Sequence, residues 1–363
     1  MAQPIRTEAR LPQRGALRRC IASMLAWIAV AGCEGLTPTA VSTPALPLAD
    51  AVSISAAEHD VEQAFDTPAL QSLAALAPIL TIPGGVASRT VALSHLGSTC
   101  GAGLVSDGAG ALAVAAGIPD SILGRVLVYD SVAQGYGVGA DTGGPSDGVR
   151  FLLYTPGLFG RPAFPLAVDG WLDLRDQTAG TSTLLAVQVV NGTEPNADYT
   201  IVPWGGQGVD SGFVTGAVTQ GKHLFTFADS IAQQGSQTVT AATITGQGQD
   251  LQLRLAATRN AIDPYDSFYD LDYTFTRKAE TIRIVGSITT YCLLPAITTT
   301  VSVNGVAFAQ IGMTTGSVDV VRVDSQPLTS DQQQAILDLL YGEERLFASL
   351  TGLFAPARQF VAP

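Results

Sequence analysis

The sequence contains little charge and almost no lysine. Charged residues make up 14% of the 363 positions, against about 25% in typical soluble domains. Lys222 and Lys278 are the only lysines, and histidine occurs only as His59, His95 and His223. Because the histidines are far apart in sequence, the pattern predicts neither a zinc centre nor a histidine general base. No cofactor is expected.

The apolar fraction and the charge balance limit the class of protein. Hydrophobic residues make up 47% of the chain and glycine occurs 38 times, a composition that excludes an intrinsically disordered protein. Beyond residue 32 the chain carries 14 basic and 30 acidic residues, a formal charge of −16. Such an acidic body repels polyphosphate, so nucleic acid is excluded as a general partner.

The N-terminal segment has the parts of an export signal. Basic residues end at Arg19, and an apolar run of about eleven residues follows, from Ile21 to Ala31. A membrane-spanning helix needs about 20 apolar residues, and the sequence after residue 33 is polar and rich in proline. This short apolar run followed by small residues is typical of a secretory signal peptide.

The end of this segment, Val30-Ala31-Gly32-Cys33, resembles the lipobox of bacterial lipoproteins. The resemblance implies cleavage before Cys33 and attachment of diacylglycerol and fatty acyl chains such as palmitate to that residue. It also implies a membrane partner in the cell envelope, and Glu34 favours the outer membrane. The alternative is an ordinary signal peptide followed by a buried cysteine.

Two cysteines are left in the exported body. Cys20 leaves with the signal and Cys33 takes lipid, so Cys100 and Cys292 form an even pair in an oxidising compartment. We expect a disulfide between them. It would close a loop of about 190 residues and contribute up to about 5 kcal/mol by the chain-entropy estimate. Two buried free thiols are the alternative.

The remaining sequence predicts a mainly β (α+β) fold with amphipathic helices at its N- and C-terminal ends. Residues 1–32 form the signal, 33–58 a flexible tether and 59–363 one β-rich domain. Within it we expect a helix over 59–81, helices over about 329–355, and strands over about 87–325, where apolar residues alternate with a period of two. Closely spaced strands predict a large curved antiparallel sheet or a barrel-like meander.

Short sequence motifs predict where several strands and helices begin or end. Asn304-Gly305 between two strand patterns predicts a type I′ hairpin, because both positions need positive φ. Thr329 or Ser330 followed by Gln332 or Gln333 predicts a capping box. Gly342 is expected to split the C-terminal helical segment in two. At the N-terminal end, Asp66 or Thr67 is expected to cap a helix that begins at Pro68.

Three apparent site motifs lack the context that their chemistry needs. Residues 144–148, Gly-Pro-Ser-Asp-Gly, precede a strand, whereas a nucleophile elbow follows one, so a turn is predicted. Residues 108–113 match a dinucleotide fingerprint without a βαβ unit. Asp266, Asp270 and Asp272, with nearby Asp263, are weak candidates for a cation site, but a solvated strand entry is the expected interpretation.

Two functions fit these observations, and both are non-catalytic. In the first, a lipid-anchored envelope lipoprotein binds a lipid or another hydrophobic ligand between its sheet and its helices. In the second, a structural, assembly or surface lipoprotein of the outer membrane contacts other envelope proteins. Catalysis is disfavoured because no nucleophile and base emerge from the sequence.

The lipid anchor can be tested by metabolic labelling with a clickable fatty acid. We expect the wild-type chain to carry the label and the Cys33→Ser chain to lose it, because serine offers no thiol for the lipid. A Cys20→Ser chain is the matched control and should keep the label. Label that persists in Cys33→Ser would contradict the anchor.

Overall fold

The computed structural model describes the C-terminal body and not the N-terminal segment. All the described residues fall within one compact unit, Pro47–Pro363. They are residue 48 and residues 51–76, 118–133, 135–157, 162–179, 183–203, 211–234, 237–261, 267–290, 296–314, 317–354 and 356.

In the described part of the chain, three α-helices flank fifteen strands in chain order, so the fold is mainly β. The helices are α1 (Ala51–Phe65), α2 (Pro68–Leu76) and α3 (Ser330–Gly352), with a short 3₁₀ turn at Asp120–Ile122. The strands are β1 (Val126–Asp130), β2 (Gly135–Val138), β3 (Gly148–Tyr154), β4 (Val168–Asp176), β5 (Leu185–Asn191), β6 (Glu194–Pro203), β7 (Gly212–Gln220), β8 (His223–Gln234), β9 (Gln237–Gly246), β10 (Leu251–Ala261), β11 (Ser267–Arg277), β12 (Glu280–Thr290), β13 (Ala296–Val303), β14 (Val306–Thr314) and β15 (Ser317–Arg322).

The strands form one large sheet that is not closed among the described residues. From β3 to β15 each strand pairs antiparallel with the next one in the chain, as the sequence predicts. The exception lies at the other end, where β1 inserts between β3 and β2 and runs parallel to β3. The sheet is therefore mixed, with β2 and β15 as its two edges.

One face of the sheet is apolar because side chains alternate along each strand. In β10 the buried residues are Leu251, Leu253, Leu255 and Ala257, and Tyr273 and Phe275 on β11 lie on the same face. The helices cover part of this face: α1 packs on β7, and α2 packs on β3, β4 and β5. The core therefore lies between the helices and the sheet.

The predicted turns are confirmed. Asn304 and Gly305 have φ of 51° and 79° and connect β13 to β14 through a two-residue loop. Lys278, at φ 53°, lies in the two-residue loop between β11 and β12. Residues 144–147 form a turn that leads into β3, so the Gly-Pro-Ser-Asp-Gly motif is not a nucleophile elbow.

The helix caps also follow the sequence signals. Thr329 and Gln332 form the predicted capping box, in which each side chain accepts a hydrogen bond from the other residue's backbone N–H. Pro68 is the first residue of α2, and the Thr67 hydroxyl accepts a hydrogen bond from the N–H of Leu70 at 3.4 Å. The same hydroxyl donates to Asn196 on β6 at 2.6 Å, which ties α2 to the sheet.

The helix predictions need two corrections. The tether was expected to reach residue 58, but α1 already begins at Ala51, because Ile54 and Ala57 provide two more core positions. The described part of the segment expected to be helical over 59–81 is interrupted before Pro68, where the predicted new helix begins, since Pro68 cannot continue α1. The C-terminal helix α3 is one helix and not two, and it runs through Gly342.

Three strands lack the sequence pattern that predicts the others. β2 contains two glycines, β4 alternates apolar residues with acidic ones, and β6 begins with Glu-Pro-Asn. These residues are depleted in strands. Pairing with neighbouring strands overrides that local preference.

Several sequence predictions lie outside the described residues. They include the lipobox Val30-Ala31-Gly32-Cys33, the pair Cys100 and Cys292, and Asp266. The dinucleotide-like motif at 108–113 and the part of the strand region before residue 118 lie there too. None of the described helices is long and apolar enough to cross a membrane.

The buried face can be tested with two identical substitutions. Val301→Ala, in a side chain with 0% exposure, should lower the free energy of unfolding by about 2–3 kcal/mol through lost burial and a residual cavity. Val321→Ala, at 59% exposure, should change it by less than about 0.5 kcal/mol. Urea denaturation measures both, and equal effects would contradict the assigned faces.

Candidate functional site

Helices α1 and α3 pack side by side and leave a groove between them. The groove has a volume of about 590 Å³. Its walls combine carboxylates with few cations, and we call it the inter-helix groove. It is lined by Val52, Ser55, Ala56, Glu58, His59 and Glu62 of α1 and by Asp331, Gln334, Asp338 and Arg345 of α3.

The floor of the groove depends on the absence of a side chain at Gly342. A Cβ atom built on Gly342 would overlap the carboxyl group of Glu58 and would lie 2.9 Å from Glu62 Oε1. Real Cβ atoms do not approach other atoms so closely. Gly342 is therefore the position where α1 and α3 come into close contact, and it does not end the helix.

The Glu58 carboxyl group is buried at this contact. Only 2% of the residue is exposed, and burial, followed by the nearby Glu62 carboxylate, raises the pKa of Glu58 to about 9 against the opposing effect of Arg345. This raised pKa favours the protonated form of Glu58 at neutral pH, and the hydrogen bond between the Glu58 and Glu62 side chains acts in the same direction. Glu62 forms an ion pair with Arg345 at the mouth of the groove.

A second buried acid lies on the sheet side of α3. Glu343 is fully buried, and the hydroxyl of Tyr269 on β11 donates to its Oε1 atom. Its Oε2 atom has no hydrogen-bond partner. Burial raises the pKa of Glu343 to about 8, and the Tyr269 hydrogen bond only partly opposes this effect.

Tyr273 of β11 lies near both acids. It is fully buried, and its hydroxyl has no hydrogen-bond partner. Burial and the charges of Glu58 and Glu343 raise its pKa well above the usual range. We call Glu58, Glu62, Glu343, Tyr269 and Tyr273 the acid cluster.

Additional polar contacts fix the helices around the acid cluster. The Ser55 hydroxyl donates to Asp338 across the groove, and Gln334 donates to the same carboxylate at 2.6 Å. From the sheet, the guanidinium of Arg277 donates to the carbonyl oxygen of Ser53. These contacts tie α1 to α3 and to β11.

The groove does not have the arrangement of a hydrolase site. Ser55 donates to Asp338, whereas the described polar contacts of His59 are with Glu62 at 3.7 Å and Gln63 at 2.6 Å. Nucleophile and base are therefore not joined by a hydrogen bond here. The carboxyl groups of the groove can hold protons, or they can attract cationic groups.

The residues singled out from the sequence lie elsewhere. Asp270 is exposed on β11, and Asp272 forms a bidentate ion pair with Arg283 of β12 at 2.8 and 2.6 Å. Asp272 is thus engaged in an ordinary ion pair. No set of metal-binding side chains was found among the described residues. His223, the first residue of β8, contacts Gln249 in the loop between β9 and β10.

The sequence does contain a signal for the acid cluster. Glu58 follows Ile54 by four residues and precedes Val61 by three, so it takes a core position of α1. Glu343 takes the equivalent position in α3, between Leu339 and Leu346. An acid at an apolar position of an amphipathic helix indicates a buried carboxyl group.

A third buried acid lies within the sheet itself. Asp229 of β8 is 1% exposed, and no side chain among the described residues hydrogen-bonds its carboxylate oxygens. Burial raises its pKa to about 7, and the backbone N–H of Ser230 opposes this only in part. The hydroxyl of Thr240, near Asp229 on β9, also has no partner.

Comparison with known proteins gives no relative from which a function could be inferred. No protein-family model matches the chain, and no significant match was found among curated proteins or solved structures.

The close contact at Gly342 can be tested by a double-mutant cycle. In the wild type, Gly342→Ala should lower the free energy of unfolding by about 1–3 kcal/mol, because the new methyl group overlaps Glu58. In a Glu58→Ala background the same change should raise it by up to about 1 kcal/mol, since alanine favours a helix. Urea denaturation measures all four chains. Additive effects would rule out the contact.

Proposed function

We propose that the chain is a lipid-anchored protein of the bacterial cell envelope that acts by binding and not by catalysis. The anchor would be Cys33, and the outer membrane is the expected location. The support is the sequence of residues 1–33, in which a basic segment, a short apolar run and a lipobox-like ending follow each other. The acidic exported body is consistent with this proposal.

Of the two binding functions, the contacts between helices and sheet favour interaction with another envelope protein. Where α1 meets the sheet, protein side chains fill the space: Phe65 packs edge-on against Phe227, with ring centroids 5.6 Å apart. Tyr199 lies 6.1 Å from Phe227 and donates to the carbonyl oxygen of Leu353 at 3.2 Å. A hydrophobic ligand between sheet and helices would have to displace such contacts.

The observation that carries the proposal is the charge of the inter-helix groove. Four carboxyl groups line it, with Arg345 and the exposed His59 as the cationic or potentially cationic side chains. Exposed apolar side chains lie on the same helices, Val52 at 65% and Tyr341 at 42% exposure. A partner segment that combines basic and apolar side chains would complement this surface.

The proposal also includes a curved sheet around the helices. Tyr199 of β6 contacts Leu353, and Tyr269 of β11 contacts Glu343. Glu343 of α3 and Leu353, the residue that caps α3, lie about 15 Å apart along the helix axis, whereas five strand spacings of a flat sheet cover about 24 Å. Curvature would bring both strands within reach of α3.

The binding surface can be tested by site-specific photo-crosslinking in native cells. A photoreactive residue at Tyr341 should yield a discrete adduct with an envelope protein. The same residue at Lys222, exposed in the β7–β8 hairpin, should not. Asp338→Asn together with Glu62→Gln should weaken the Tyr341 adduct, because the groove loses negative charge.

The hydrophobic-ligand function is tested separately, on purified protein. The exported Cys33→Ser chain, purified without detergent, is analysed by native mass spectrometry. We expect no stoichiometric lipid or other apolar adduct. A reproducible apolar adduct, with no crosslink at Tyr341, would replace the protein-interaction proposal by the carrier function.

A further inference from the structure

Among the described residues, no cation within the core neutralises the carboxyl groups of Glu58 and Glu343. Glu58 contacts Gly342 and Glu62, and the one guanidinium near it, that of Arg345, pairs with Glu62 at the mouth of the groove. Glu343 receives one hydrogen bond, from Tyr269, and its second oxygen has none. An ionised carboxylate in such surroundings is strongly unfavourable.

We propose that α1 and α3 form a proton-controlled pair, which stays closed on the sheet while Glu58 and Glu343 hold their protons and separates as both are lost. This inference does not depend on the proposed function. It rests on the position of both acids at contacts of α3, with Glu58 between α1 and α3 and Glu343 between α3 and β11.

The charged and titratable groups around Glu58 favour separation once its proton is lost. Glu62 lies on its own helix, Asp338 and Arg345 face it from α3, and the Tyr273 hydroxyl faces it from β11. Arg345 is the only cation of this set and is already paired. An ionised Glu58 would thus meet two carboxylates at a contact that leaves no room for water at Gly342.

The groups around Glu343 act in the same direction. Tyr269 and Tyr273 face it from β11, and Glu344 lies beside it on α3. The guanidinium of Arg259 on β10 interacts with Tyr269, and no cation among the described residues acts directly on Glu343. Separation of α3 from α1 and from the sheet would expose both carboxylates to water.

The direction of the pH effect follows from proton linkage. The closed pair holds two protons that the open, solvated pair releases at any pH above the ordinary carboxyl range. Since burial raises the pKa of Glu58 to about 9 and that of Glu343 to about 8, opening is favoured progressively from about pH 5 to pH 8–9. At pH values where both carboxyl groups are protonated in the closed pair and ionised in the open pair, the equilibrium constant for opening rises by up to about 100-fold per pH unit.

Separation of the helices would affect the connection to the predicted membrane tether, because α1 lies next to it in the chain. α1 begins at Ala51, close to the segment that the sequence predicts to be a tether to the membrane. Separation of α1 from α3 would lengthen that connection and expose the apolar side chains that α1 buries.

Hydrogen–deuterium exchange of the full chain between pH 6 and pH 8, corrected for intrinsic exchange rates, tests the proposal. Wild-type amides of α1 and α3 should lose protection by more than tenfold per pH unit, while amides of β10 keep theirs. In Glu58→Gln/Glu343→Gln, where neutral amides replace the protonated acids, protection of the helices should change less than twofold per pH unit. Glu343→Gln alone should show an intermediate slope of about tenfold.

Asp60→Asn, which removes an acid from α1 outside the acid cluster, should keep the wild-type slope. A wild-type slope equal to that of the double variant would overturn the proposal. So would simultaneous loss of protection in β10, because the acids would then control global unfolding and not separation of the helix pair.

Discussion

The arrangement of the helices depends on one position without a side chain, Gly342. Two helices normally pack 8–10 Å apart, and the smaller distances require small residues at the contact. At Gly342 the space of a missing methyl group is filled by the carboxyl group of Glu58. This contact fixes where α1 crosses α3, places Glu62 opposite Arg345, and so determines the charge and the shape of the inter-helix groove.

The protein uses two different ways to bury a carboxyl group. Asp173 of β4 is 3% exposed, and Arg150 of β3 binds both of its oxygens at 2.6 and 2.7 Å while lying over the ring of Trp171. That charge is compensated by a bidentate ion pair. Glu58 and Glu343 are compensated by protons instead. Protons, unlike an arginine, are exchanged with solvent, so these two sites respond to pH.

Much of the sheet could be predicted from the sequence, because alternation of apolar side chains records which face of a strand is buried. Turn residues indicate the connections between strands, as at Asn304-Gly305, and a capping box indicates the start of α3. The parallel pairing of β1 with β3 could not be predicted, since a two-residue register between short strands leaves no periodic signal. β6 was missed because Pro195 and Asn196 obscure its pattern.

The candidate site was missed for a related reason. Periodicity shows that Glu58 and Glu343 occupy core positions of their helices, but not that both core faces meet β11 and each other. Gly342 was assigned to a helix break from its low helix propensity, although a glycine within an amphipathic helix also permits close packing. An acid at a core position of one helix and a glycine at the facing position of another are therefore one signal and not two. Read together, they indicate that the carboxyl group and the missing side chain share the same space.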